Sequence, residues 1–202
     1  MKKILSLAAA AILAASTGTA LAQADQGAQA LATGVCSACH GPTGHSVSPV
    51  FPRLAGQQSA YIVLQLDAFR GHLRADPNAQ AYMWGMASQL SDATIQGLAD
   101  YYAAQKPSPG TAGAPALMGE GRKIYEQGIP SKKVQACAAC HGANAEGAQV
   151  FPRLAGQHVE YLIGQLEGFK TGTRSNAPIM INEVRDMTAE QLRAVATYAA
   201  SK

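Results

Sequence analysis

Charge is scarce in this chain. Asp, Glu, Lys and Arg make up 14% of its 202 residues, aromatics make up 6%, and there is one tryptophan, Trp84. The net charge is only +3. A nucleic-acid binder needs a basic stripe to neutralise phosphates, so that class is excluded. Alternating apolar and polar runs of strand length are missing, which leaves an all-α reading. Beyond the N-terminus no apolar run approaches the roughly 20 residues that a membrane-spanning helix needs. Cysteine is confined to four positions, and all four fall in two short motifs.

The one apolar run opens the chain. In "MKKILSLAAAAILAASTGTALA" two lysines precede an apolar stretch from Ile4 to Ala15, and Ala20-Leu21-Ala22 fits a small-x-small cleavage site. Residues 1–22 therefore read as a secretory signal peptide, which places the mature chain in a bacterial periplasm. No cysteine follows the run to take a lipid, so at most peripheral membrane association is expected. Without the leader, residues 23–106 carry a net charge of −1 and residues 107–202 a net charge of +2. That asymmetry is able to orient docking but is too small to name a partner.

What is present is duplicated. "CSACH" (36–40) returns as "CAACH" (137–141), and "FPRLAGQ" (51–57) returns unchanged at 151–157. Tyr61, Gln65, Leu66 and Phe69 recur as Tyr161, Gln165, Leu166 and Phe169, and Met83 faces Met180. Small changes of offset between these pairs mark surface loops. "KPSPGTAGAP" (106–115) has Pro, Gly and small residues with no apolar period, and reads as a joint. We expect a first domain at 23–106, a linker at 107–115 and a second domain at 116–202. Within each, helices are expected near 25–34 or 119–128, at 59–71 or 158–170, and after the N-caps Ser91 or Thr188. Thr188 with Gln191 has the pattern of a capping box. The stretches 41–58 and 72–90 remain as long loops, too long to be idle in so small a domain. They need something central to pack on.

Cys-x-x-Cys-His is the attachment signature of c-type haem. Two thiols form thioethers with the haem vinyl groups, and the following histidine lies under the iron. Cys36, Cys39, Cys137 and Cys140 are then the thioether residues, and His40 and His141 are axial ligands of two covalently bound haem c groups. A disulfide framework explains neither the adjacent histidine nor the repeat. A thioredoxin-like dithiol wants an α/β pattern. A zinc site would have to bridge two domains that each read as complete. The sixth ligand decides the chemistry. Of the five methionines after the leader, only Met83 and Met180 hold equivalent places, so they are the expected partners of His40 and His141. Methionine opposite histidine gives a carrier of raised potential and low reactivity. A ligating histidine gives its other ring N–H to a fixed acceptor, for which the carbonyls of Pro52 and Pro152 are the candidates. Arg53 and Arg153 are candidate partners of haem propionates. His45, His72 and His158 have no histidine counterpart and read as surface or half-buried residues.

Two such motifs, each with "FPRLAGQ" and a methionine before a "LSDATI"-type helix, resemble the dihaem cytochrome c4 family over residues 23–202. The resemblance implies two class I cytochrome c domains packed face to face with pseudo-twofold symmetry, their haem edges meeting at the interface. It implies an electron carrier that takes electrons from a quinol-oxidising complex and passes them to a haem-copper terminal oxidase. The dihaem subunit of a flavin-containing sulfide dehydrogenase is the alternative, and a dihaem peroxidase is a more distant one. The second repeat departs from the family pattern in "MTAEQL" and in a shorter loop before Met180.

Overall fold

In this computed structural model residues 26–202 are described, so the expected leader at 1–22 lies outside the described residues. The chain forms nine helical segments there. The first, α1, is a helical run over 26–40 that passes through a π turn at Ala32–Cys36 into a last α turn, Ser37–His40. Then come α2 (Ser59–Arg70), α3 (a π turn Ala79–Met83 continued as Trp84–Ala87) and α4 (Asp92–Ala103). The second half repeats the order with α5 (Pro115–Gln127), α6 (Ala138–His141), α7 (Val159–Thr171), α8 (Pro178–Val184) and α9 (Ala189–Ala200). Among the described residues the only extended pairings are two isolated bridges, Ile129 with Val134 and Ala148 with Phe151.

The helix starts follow from their caps. The Ser91 side chain accepts from the Thr94 amide, and Thr188 with Gln191 closes a full capping box. Each cap satisfies amides that the first turn leaves without an intrahelical partner. Helix α3 lies in the stretch 72–90 that reads as loop, and α8 is its counterpart in the second half. Their sequences carry no apolar period, and α8 begins on Pro178, whose fixed φ suits a first helical position. Between α5 and Cys137 the chain forms a 3-10 turn at Pro130–Lys132.

Each half has its own core. Ala28, Ala32, Ile62, Leu98, Ala99 and Tyr102 form the first, with a satellite of Phe69, Ala79 and Ala87. Ile124, Tyr125, Leu162, Phe169, Leu192, Val195 and Tyr198 are the larger members of the second. Helix α9 packs on α5 at very short range. A Cβ on Gly121 would overlap the carbonyl of Ala194. Gly121→Ala is therefore expected to destabilise the protein by about 1–3 kcal/mol through overpacking, despite the better helix propensity of alanine. Thermal melts that show a gain instead would place this helix crossing further apart.

The joint between the halves is not a free tether. The Ser108 hydroxyl lies 2.7 Å from Nδ1 of His45, and the Ser108 carbonyl fills the space that a side chain on Gly156 would take. Gly156 also has φ +71, so the close approach and the left-handed backbone both call for glycine there.

Candidate functional site

The two Cys-x-x-Cys-His turns end α1 and form α6. In each, the backbone turns sharply at the next residue, Gly41 or Gly142, and the histidine is buried. Nδ1 of His40 lies 2.9 Å from the carbonyl oxygen of Pro52, and Nδ1 of His141 lies 3.0 Å from that of Pro152. A carbonyl only accepts, so Nδ1 carries the proton and Nε2 keeps its lone pair. Burial pushes both imidazoles below their ordinary pKa, against the pull of the proline carbonyls. Each is therefore a neutral ring with a fixed tautomer. Phe51 and Phe151 set their edges against the two rings at centroid distances of 6.1 and 6.4 Å.

No disulfide joins any of the four cysteines. Burial raises the Cys36 thiol and pushes Cys137 up to about 11. A redox-active dithiol needs the opposite shift. Among the described residues no three His, Cys, Asp or Glu side chains gather as a metal cluster. The donor set in each half is thus two thiols and one neutral imidazole aimed by a proline carbonyl, which fits covalent haem c with a histidine ligand.

The expected methionines sit in equivalent settings. Met83 ends the π turn of α3 and packs against Phe69, Ala79 and Ala87. Met180 lies in α8 against the second core. Met187 is buried in that core as packing, and Met86 is exposed.

The "FPRLAGQ" loops do more than back the histidines. The amide of Arg53 donates to Gln157 Oε1 at 2.9 Å, and the amide of Arg153 donates to Gln57 Oε1 at 2.7 Å. In return Gln57 Nε2 donates to the Arg153 carbonyl, and Gln157 Nε2 donates to that of Arg53. Four reciprocal bonds therefore join the halves about a pseudo-dyad. Arg53 Nη1 donates across it to the Gly156 carbonyl at 2.6 Å, while Arg153 Nε is buried with no partner among the described residues.

A second reciprocal layer was not anticipated. Arg74 and Arg174 are buried where the halves meet. Arg74 donates to Gln65 Oε1, Gln165 Oε1 and the Tyr161 hydroxyl. Arg174 donates to Gln165 Oε1, Gln65 Oε1 and the Tyr61 hydroxyl. The recurrence of Tyr61 and Gln65 as Tyr161 and Gln165 was the available signal, but it does not say which domain a side chain serves. The lone histidines lie outside the two attachment turns. His158 Nε2 lies 2.9 Å from the Ser46 hydroxyl across the interface, and His72 stacks on Trp84.

Residues 119–201 match the cytochrome c family, and residues 22–101 match the family of cytochrome c oxidase, cbb3-type, subunit III. The chain is 40% identical to a cytochrome c4 of Thiocapsa roseopersicina, over 86% of this chain and 90% of that one. It is 38% identical to a thiosulfate dehydrogenase electron acceptor of Thiomonas intermedia, over 83% of this chain and 78% of that one. Its fold superposes on the Acidithiobacillus ferrooxidans cytochrome c4 structure with a TM-score of 0.77 at 43% identity, covering 83% of this chain and 98% of that one. Among the described residues no helix is long and apolar enough to cross a membrane. With two cytochrome c domains in tandem and such relatives over most of its length, the chain belongs to the cytochrome c4 family: a dihaem electron carrier with one covalent haem c in each half, working with redox-protein partners and not as an enzyme.

Proposed function

We propose that the chain works in the periplasm, taking electrons from a quinol-oxidising complex and passing them towards a haem-copper terminal oxidase, with His40 and Met83 on one iron and His141 and Met180 on the other. The observation that carries this reading is the duplicated histidine–proline carbonyl pair, at 2.9 and 3.0 Å, inside an interface of reciprocal hydrogen bonds. When bound, haem supplies the reversible one-electron couple of its iron. The protein's part is to hold both imidazoles in one tautomer and one orientation, which keeps reorganisation small. Met83 and Met180 pack at equivalent places against their cores, which supports them as the opposite ligands. The buried Nε of Arg153, without a partner among the described residues, supports this arginine as a donor to a propionate. Arg53 already uses Nη1 on Gly156.

A second donor is favoured by one specific likeness, that to the Thiomonas thiosulfate dehydrogenase electron acceptor. In that reading a sulfur-oxidising dehydrogenase, and not the quinol-oxidising complex, reduces the protein. Stopped-flow reduction of the purified holoprotein by each donor separates the two.

The ligand assignment is tested by the near-infrared absorption of methionine–iron(III) ligation. Met83→Ala and Met180→Ala are each expected to remove about half of that band. A variant that leaves the band whole shows its methionine is not a ligand.

A further inference from the structure

We propose that Asp76 and its counterpart Asn176 set which centre holds the electron, and that the second domain is favoured. The inference rests on the carrier reading above. The buried layer between the halves is symmetric in Arg, Gln and Tyr, and it breaks at one pair. Arg74 Nε donates to Asp76 Oδ2 at 2.8 Å, whereas Arg174 Nε faces the neutral Asn176 Oδ1 at 3.4 Å. Among the described residues the Asp76 carboxylate is therefore the one charge of this layer without a counterpart on the other side.

Both guanidiniums are buried, with exposures of 4% each, and Asp76 is 5% exposed. Charges so placed escape most of the salt screening that weakens surface charge. Each guanidinium lies over a phenylalanine of its own domain, Arg74 over Phe69 at 4.8 Å and Arg174 over Phe169 at 4.4 Å. Phe69 is in the cluster that packs Met83, and Phe169 is in the core that packs Met180. Each guanidinium thus lies over an aromatic ring of the cluster that packs the methionine of its own half.

Two identical haems bring the same charges to both sites, so the difference between aspartate and asparagine survives their binding. A reduced centre carries one electron more than an oxidised one. The two guanidiniums share Gln65 and Gln165 and offset each other between the halves. The Asp76 carboxylate therefore decides: it disfavours reduction on its own side and leaves the second centre favoured. Internal transfer then runs from the first domain to the second. At an effective dielectric of about 20, a unit charge acting over roughly 12 Å is worth a factor of about ten in an equilibrium constant. The two centres share part of that effect, so about three- to tenfold is expected between them.

The test is a redox titration of the holoprotein, with the methionine methyl signals followed by NMR so that each centre is titrated by name. Asp76→Asn is expected to raise the potential of the first centre, and Asn176→Asp is expected to lower that of the second. Each narrows the gap by about three- to tenfold in the internal equilibrium, where tenfold corresponds to about 59 mV. A purely structural role predicts lower melting temperatures without opposite movements of potential. A gap that fails to narrow in either variant, with the near-infrared methionine band retained, overturns the charge argument alone. A band missing from the parent protein overturns the ligand assignment instead.

Discussion

Arg74→Ala is expected to destabilise the folded holoprotein by about 3–5 kcal/mol, as removal of one partner from a buried ion pair does. For a chain of this size that is a fall of roughly 6–20 °C in melting temperature. The reason lies in what is left behind. Gln65 Oε1 and Gln165 Oε1 each still receive a bond from Arg174. Asp76 has no such substitute, and its carboxylate stays buried with its cation gone. The same reasoning makes the symmetric change milder. Arg174→Ala leaves behind Asn176 and the Tyr61 hydroxyl, both neutral, and it keeps the Arg74–Asp76 pair whole. Its expected cost is about 1–3 kcal/mol, that of unpaired neutral groups. Melts and denaturant titrations of the two variants side by side decide the point. Equal losses would show that packing, and not the orphaned carboxylate, dominates.

The arginines also show where the sequence ceases to be readable. The helices at 59–71 and 158–170 were expected within a residue of where they lie, because their apolar residues recur at helical spacing. Ser91 and Thr188 were identifiable as caps for the same local reason. The haem attachment was visible because thiol, thiol and imidazole must be adjacent to do that chemistry. "FPRLAGQ" was legible as important but not as divided. Its proline carbonyl serves the histidine of its own domain, while its glutamine serves the other domain. A repeat shows that a residue is needed twice, and intradomain and interdomain needs leave the same trace. Arg74 and Arg174 look like solvated charges in the sequence. Their burial depends on acceptors about a hundred positions away, which no local pattern records. Helices α3 and α8 were missed because tertiary contacts around the methionines hold them, with little periodicity of their own.

Replacing both Cys137 and Cys140 by alanine is expected to leave one covalent haem per chain where the parent has two, counted by the pyridine haemochrome assay on denatured protein. The consequence for folding is expected to exceed that simple halving. A domain of this size buries too little surface to be secure without a staple, and Cys137, Ala138, Leu154 and Met180 all pack against the second core. Loss of the second domain also removes Arg153 and Gln157, which hold Gln57 and Arg53 of the first. The first domain keeps its own attachment at Cys36 and Cys39, but its "FPRLAGQ" loop loses the bonds that fix it from outside. Circular dichroism is therefore expected to show helix lost from the second half, together with a lower melting temperature for the half that remains. Two haems retained per chain would place the attachment outside the motif. An unchanged melt of the first half would show that the reciprocal bonds add nothing to it, and that two domains are joined for electron transfer alone and not for mutual support.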